Sequence, residues 1–236
     1  MAVKKLKKGK SHFDLLESRH HVYKYSDEIP PKELIDEALY KAWKTTPSKN
    51  NAMPYKVFVY GPEEKQKKKL VWEMVVQNHR VAEKNAVERG DATKTEGGKP
   101  NPYYKHIKRN PYLFCIHAQP REPNAFYKRQ VDKGMFFDQA WPSRVNRFID
   151  TTAVEVGMFI QNLSSYLLEN KVDLSYTSCF FRDINEWKKV GLTEADYRPI
   201  ILMSAGYHEQ YRKDMRYIKY GRTDIKPEFE DMIKWI

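Results

Sequence analysis

One segment, 150-DTTAVEVGMFIQNLSSYLLEN-170, constrains the fold more than any other part of the 236-residue sequence. Asp150 or Thr151 can cap its start and Asn170 can end it, so the segment predicts a single helix. Apolar side chains cover nearly its whole circumference, and a helix that is apolar all round has to be buried on all sides. Two arrangements meet that requirement: the central helix of a monomer, or a helix shared across a dimer interface.

The remaining elements alternate between helical and extended patterns, but too few βαβ units follow one another for a doubly wound parallel sheet. We therefore predict an α+β fold in which helices flank a central mixed, mostly antiparallel sheet, with residues 11–236 in a single domain. By apolar periodicity, helices are predicted at 12–19, 30–43, 63–79 and 184–192, and extended segments at 56–61, 112–118, 172–180 and 198–207.

Four segments have no clear place in that core. Residues 85–111 are polar and rich in turn formers, and residues 119–148 mix aromatic and charged side chains without one period. Both are predicted to be lids over a site, as long irregular segments often are. Residues 1–10 are predicted to be a basic disordered tail, and the last thirty residues are expected to dock on a partner subunit.

Charge and cysteine usage limit the possible partners. The formal net charge of +11 attracts phosphates, nucleic acids and anionic surfaces. Much of the excess lies in residues 1–10 and in 65-KQKKK-69, and these lysine runs are not interleaved with aromatic residues, which disfavours nucleic-acid binding. The sequence contains no stretch of about 18 apolar residues, so no membrane span is predicted. Cys115 and Cys179 lie in separate apolar runs and are expected to be buried free thiols, which favours a cytoplasmic setting.

Two polar clusters carry the candidate chemistry, because the sequence contains no GxGxxG, GxxxxGK[ST], GxSxG or HExxH motif and no metal-ligand spacing. In 18-SRHHVYKY-25, the guanidinium of Arg19 could hold a phosphate, or the cluster could be an ordinary basic helix end. In 45-TTPSKNNAMPY-55, hydroxyl and amide groups could bind a flat heterocycle, or the segment could simply stop a helix.

The order of these clusters resembles the nitroreductase family of FMN-dependent flavoproteins. In that family an Arg-[Arg/His]-Ser-x-[Arg/Lys] motif precedes a helix, a Pro-Ser-x-x-Asn-x-Gln-Pro-Trp loop and a strand. The corresponding residues here are 19-RHHVY-23 and 47-PSKNNAMPY-55. The apolar helix resembles the family's dimer-interface helix, and 200-IILMSAGY-207 resembles its "LGY" strand. The resemblance extends over about residues 13–225.

The resemblance implies a homodimer in which each FMN is bound mainly by one subunit and touched by the proline-serine loop of the other. Three positions depart from the family pattern. Tyr23 is found where the family has Arg or Lys, His21 replaces serine, and Met53 replaces glutamine. The implied contacts are Arg19, His20, His21, Tyr23, Lys219 and Arg222 to the phosphate and ribityl chain, Pro47, Ser48, Lys49 and Asn51 to ring or ribityl groups, and Thr177, Ser178, Cys179 and Asn78 near the ring.

The implied activity is hydride transfer from NAD(P)H through flavin N5 to a small planar acceptor, nitroaromatic or quinone-like, by a ping-pong mechanism. No protein group is required as a general acid, because the cofactor carries the chemistry. Reductive dehalogenation and flavin fragmentation are variants that the sequence leaves open. Two other classes also remain: a flavin-binding protein without turnover, and a basic protein that binds nucleic acid or an anionic surface.

Overall fold

Helices and strands alternate along the computed structural model, which describes residues 12–19, 22, 24–48, 51, 53–88, 109–118, 133, 151–193, 197–208 and 232–233. The helices are α1 (His12–Ser18), α2 (Lys32–Thr45), α3 (Lys65–Glu88), α4 (Thr151–Glu169) and α5 (Ile184–Lys189). The strands are β1 (Tyr55–Tyr60), β2 (Tyr112–Ala118), β3 (Asp173–Thr177) and β4 (Arg198–Gly206).

The strands form one four-stranded sheet in the order β1-β2-β4-β3, and each of its three pairings is antiparallel. Central strand β2, with the sequence YLFCIHA, is buried at every position except Ala118. A strand that reads as a continuous apolar run is covered on both faces. The α+β class with a largely antiparallel sheet flanked by helices is confirmed.

Helices cover the sheet on both faces, which gives three layers. On one face α2 and α4 bury a core that includes Ile35, Phe114, Phe159, Leu163 and Met203. On the other face, α3 and α5 contribute Val71, Val75 and Trp187, which pack with Leu113, Cys115 and Leu202. The alternation of β2 between these two cores, with Phe114 on one side and Cys115 on the other, follows from the period of two in a strand.

Several predicted boundaries shift. Helix α3 continues to Glu88, where a loop was predicted from residue 85, because Ala, Lys and Glu favour helix there and Lys84 pairs with Glu88 at 3.7 Å. The predicted extended segment 172–180 forms strand only at Asp173–Thr177. Residues 1–10, most of the two predicted lids and most of the last thirty residues lie outside the described residues.

The prediction of burial is wrong for Cys179, and for α4 the single chain does not show the first predicted arrangement, burial on all sides as the central helix of a monomer. Helix α4 is buried along one side, but Val154 is 54% exposed, and Gly157 and Gln161 are exposed with it. Among the described residues, the sheet, α2 and α1 pack against the helix. Cys115 is buried as predicted, whereas Cys179 is exposed, because it follows the end of β3 and leaves the sheet. No helix in the described part of the chain is long and apolar enough to cross a membrane.

Candidate functional site

Ser48 organises the loop that joins α2 to β1. Its Oγ donates to Glu155 Oε2 at 2.7 Å and accepts from the backbone nitrogen of Met53 at 2.9 Å. The loop turns through two residues with positive φ, Asn51 at 53° and Met53 at 43°. Asparagine adopts this left-handed region readily, but a long side chain such as methionine does so at a cost. The two hydrogen bonds of Ser48 therefore hold a backbone that would relax without them.

Helix α4 anchors this loop at two points. Glu155, which is 5% exposed, binds Ser48, and Asn162, two turns further along α4, donates from Nδ2 to the Oγ1 atoms of Thr45 and Thr46 at 3.2 Å each. Sequence reasoning missed Glu155. A signal was present, since Glu155 is the one charged residue between Thr151 and Leu168. A buried carboxylate in an apolar helix has to be paired, and here Ser48 is one of its partners.

Arg19 lies at the end of α1, exposed, over the side chain of Tyr176. Its guanidinium carbon is 5.4 Å from the ring centroid, which is the geometry of a cation–π contact. Tyr176 Oη lies 2.6 Å from Ser164 Oγ, and Ser164 donates to the Ile160 carbonyl. Burial raises the pKa of Tyr176, so its ring stays neutral beneath Arg19. Through Ser164 and Tyr176, α4 thus supports the exposed guanidinium of Arg19.

The side chains that support Arg19 and Ser48 both lie on α4, at a defined spacing. The side chains that support them, through Tyr176 to Ser164 and through Glu155, are nine residues apart on α4. At 1.5 Å per residue, this separation is about 14 Å along the helix axis. The structure therefore brings the two clusters to one side of the sheet but keeps them apart within one chain.

The predicted residues after β3 lie on the other face. Thr177 is buried, and its Oγ1 accepts from the backbone nitrogen of Cys179 at 3.1 Å, while Ser178 and Cys179 are exposed. The Phe181 nitrogen donates to the Met74 carbonyl at 2.9 Å, which brings this segment against α3. Asn78, half-buried, is one turn beyond Met74 on the same side of α3.

The predicted site residues that the structure describes thus form two groups, one on each face of the sheet at edge strand β3. Arg19, Pro47, Ser48 and their supports lie on the α4 side, and Thr177 to Cys179 with Asn78 lie on the α3 side. Within the described residues, no group of three or more His, Cys, Asp or Glu side chains could hold a metal ion. The other predicted site residues fall outside the described ranges and stay predictions: His20, His21, Tyr23, Lys49, Lys219 and Arg222.

Replacing Ser48 by alanine should destabilise the protein by about 1–3 kcal/mol, because the buried Glu155 carboxylate loses a donor and the Met53 nitrogen loses its acceptor. Urea denaturation measures the effect. Ser165→Ala is a matched control on α4, since its exposed hydroxyl bonds only the Gln161 carbonyl of the same helix. Equal stability of the two variants would show that the loop does not depend on Glu155.

A family model and several solved structures match most of the chain. The model of the Nitroreductase family matches residues 16–207. A nitroreductase-like family protein from Bacillus cereus superposes with a TM-score of 0.60 at 14% identity, over 98% of each chain. Iodotyrosine deiodinase, solved with FMN and 3-iodo-L-tyrosine, gives a TM-score of 0.58 at 17% identity, over 93% of this chain and 98% of that chain.

A third similar structure is a variant of the FMN- and NADPH-dependent nitroreductase NfnB from Sphigopyxis sp. strain HMH, with a TM-score of 0.61 at 14% identity over 96% of this chain and 99% of that chain. At these identities the superpositions show a shared fold. A search of curated proteins finds no significant match to the sequence.

Proposed function

Because the chain belongs to the nitroreductase family, we propose that it is an FMN-dependent oxidoreductase that passes reducing equivalents from NAD(P)H to a small planar acceptor. The observation that carries the proposal is the tethered loop: within the matched span, Ser48 is fixed by the buried Glu155 in a backbone with two positive φ angles. Strained loops held by their surroundings cluster at ligand sites. Two structurally similar proteins are described with FMN.

The chemistry of the described groups fits the proposed cofactor. FMN requires a cation for its phosphate and neutral hydrogen-bonding groups for its ribityl chain and ring. Arg19 supplies an exposed guanidinium that already rests on Tyr176, and an arginine can bind a phosphate through two parallel hydrogen bonds. Pro47, Ser48 and Asn51 supply backbone and side-chain groups on the tethered loop. When bound, FMN would supply hydride acceptance and donation at N5.

We assign the chain's own residues to binding and positioning. Tyr176 and Ser164 hold Arg19 where it would bind the phosphate, and Glu155 holds Ser48 where the loop would contact ring or ribityl groups. Thr177 shapes the turn that would carry Ser178 and Cys179 past the ring. The proposal also includes His20, His21, Lys219 and Arg222 as phosphate or ribityl contacts, and Lys49 as a positive group that stabilises negative charge at the pyrimidine edge.

The proposed active form is a homodimer in which α4 of each subunit meets its partner. Val154 on α4, Trp43 on α2 and Tyr40 on α2 are 54%, 54% and 52% exposed, and α2 packs beside α4 in the same layer. Large apolar side chains exposed at a surface are candidates for an interaction site. Association through this surface would bring the Ser48 loop of one subunit toward the flavin bound mainly by the other.

The proposed reaction is ping-pong: NAD(P)H reduces the flavin and leaves, and a nitroaromatic or quinone-like acceptor then takes its place. The segments 85–111 and 119–148 are proposed to shape the acceptor site. A cytoplasmic setting belongs to the same proposal, as both cysteines are free thiols. A flavin-binding protein without turnover, and a basic protein that binds nucleic acid or an anionic surface, are the alternatives that the experiment separates.

The first test is the visible absorbance spectrum of the purified protein, before and after FMN is added, and then with NAD(P)H under nitrogen. An oxidised-flavin band that bleaches on addition of NAD(P)H is the expected result. Retention of the band would instead indicate a flavin-binding protein without turnover. A colourless protein that does not bind added FMN would contradict the assignment of the site.

Arg19→Ala should weaken FMN binding by about 1.5–3 kcal/mol, because it removes a charge-assisted hydrogen bond to the phosphate. This corresponds to roughly a 10- to 150-fold increase in Kd, measurable by fluorescence titration of FMN. Arg80→Ala is the matched control, since Arg80 is an exposed arginine on α3, which packs on the opposite face of the sheet from α4, and it belongs to no proposed site. If both variants bind FMN as the unmodified protein does, Arg19 is not a phosphate ligand.

A further inference from the structure

A polar cleft lies between residues 26–29, the first turns of α3 and residues 109–111. Its volume is about 520 Å³, which is within the range of small-molecule sites. Four of its eleven lining residues are basic, and Asp27 is the one carboxylate among the described residues that line it. The basic residues are Lys65, Lys68, Lys69 and Arg109.

This cleft is separate from the Ser48 loop of the same chain. Pro62 is two residues beyond the last residue of β1 and Pro111 precedes the first residue of β2, so the cleft lies at that end of the sheet. The Ser48 loop enters β1 at Tyr55, which pairs with Ala118 at the other end of β2. The six residues of β1 correspond to about 20 Å. A ligand in the cleft would therefore not contact the Ser48 loop.

Cationic side chains are concentrated in the first turn of α3. The first turn of α3 contains no acidic residue and is lysine-rich, although a helix N-terminus carries a partial positive charge that favours anions and disfavours cations. Glu63 and Glu64 precede the helix, and Glu64 pairs with Lys67 at 3.5 Å. Among the described residues, no carboxylate lies within ion-pair distance of Lys65 or Lys69.

Lys68 is built into the wall of the cleft. It is 2% exposed, and its Nζ donates to the carbonyl oxygens of Asn110 at 2.8 Å and Pro111 at 3.2 Å. These bonds use two of the three ammonium protons. Asn110 Nδ2 in turn donates to Ser204 Oγ at 2.9 Å, and Tyr25 Oη donates to the Ser204 carbonyl at 3.1 Å. The wall is therefore fixed to the central sheet rather than carried on a loop.

Two further features favour a negatively charged ligand. Burial lowers the pKa of Lys68 to about 8, so its ammonium form carries a desolvation cost that a neighbouring anion would offset. The Oγ of Ser26, which also lines the cleft, is buried and has no hydrogen-bond partner among the described residues. The wall thus combines cations with an uncommitted hydroxyl, and both kinds of group bind phosphate.

We propose that this cleft binds the phosphate group of a small organic phosphate, held by Lys65, Lys69 and Arg109 against the wall formed by Lys68. A phosphate matches the fork of an arginine and the amides of a helix N-terminus together. The cleft has room for a sugar-sized group beyond the phosphate, and Gln66 and Asp27 on its walls can bond hydroxyl groups of such a group.

The test is calorimetric titration of the full-length protein with ribose 5-phosphate, inorganic phosphate and unphosphorylated ribose. The expected result is binding of ribose 5-phosphate and no binding of ribose. Lys65→Gln combined with Lys69→Gln should weaken the binding on the order of tenfold or more, because two charge-assisted contacts are lost. Both lysines are exposed, so the double variant should fold. Lys188→Gln combined with Lys189→Gln removes the same charge from α5 and should leave the binding unchanged.

Arg19→Ala separates this proposal from the flavin site. If ribose 5-phosphate binds in the cleft, Arg19→Ala keeps the binding whether or not the protein binds FMN. Loss of binding in Arg19→Ala with retention in the Lys65 and Lys69 double variant would place the phosphate elsewhere and overturn the proposal. Absence of binding by the unmodified protein would overturn it as well. Equal affinity for inorganic phosphate and ribose 5-phosphate would overturn the organic part of the ligand and leave a site for free phosphate.

Discussion

Phe159→Asp should leave the protein largely unfolded at room temperature. Phe159 is 3% exposed, and its ring centroid is 5.4 Å from that of Tyr55 in the core between α4 and the sheet. Removal of a buried phenylalanine costs about 3–5 kcal/mol, and a buried unpaired carboxylate adds to this cost. Since single domains are stable by only about 5–15 kcal/mol, most of the stability would be lost. Circular dichroism and urea denaturation measure the outcome.

Val154→Asp is the matched control for Phe159→Asp, because it places the same charge on the same helix at an exposed position. We expect it to preserve the fold and to shift a dimer toward monomer, which analytical ultracentrifugation would detect. A folded, flavin-loaded Phe159→Asp dimer would refute the placement of α4 against the sheet. A Val154→Asp protein that remains dimeric would show that this face of α4 is not the subunit interface.

Acidification should destabilise the protein through His117. This residue is fully buried, its Nδ1 lies 3.0 Å from Thr193 Oγ1, and its Nε2 has no partner among the described residues. Burial lowers the pKa of His117 to about 4. Below pH 6.5 the unfolded chain takes up a proton that the folded chain refuses, so stability falls by about 1.4 kcal/mol per pH unit. The total loss by pH 4 is about 3 kcal/mol.

His117→Gln is the control for the pH effect, because glutamine can still bond Thr193 but does not titrate. Urea denaturation at a series of pH values between 7 and 4 should show a steeper loss of stability for the unmodified protein than for His117→Gln. The other titrating groups are common to both proteins, so the difference between the two curves reports on His117. Parallel curves would mean that His117 is protonated in the folded state, or that the fold opens around it.

The apolar patterns of the sequence predicted the helices and strands of the fold. They did not predict which surfaces of these elements pack against one another. The segments 112-YLFCIHA-118 and 150–170 predicted a buried strand and a long helix because their hydrophobicity is continuous or periodic over many residues. The same pattern did not show which side of α4 its own chain leaves open, because sequence periodicity cannot tell a surface buried within the chain from one buried by a partner. The extra turns of α3 followed residues with helix propensity but few apolar positions.

The candidate site was predictable in its residues and not in its supports. Arg19 and Ser48 were found from the spacing of motifs along the chain. The residues that hold them, Tyr176 and Glu155, are brought near by the tertiary fold, and Ser48 and Glu155 are 107 positions apart in sequence. A local pattern carries no information about such a contact. The lone charge of Glu155 in an apolar helix indicated that a partner was needed, without indicating which one.

The pairing of the sheet also determines how the chain can fold. Leu113 pairs with Tyr60 on one side and with Ser204 on the other, so central strand β2 finds both neighbours far away in sequence. Pairings of this kind require the closure of long loops before any contact forms, which slows folding. Until β2 has paired with β1 and β4, its apolar residues are exposed to other chains. Slow synthesis at low temperature should therefore raise the yield of folded protein.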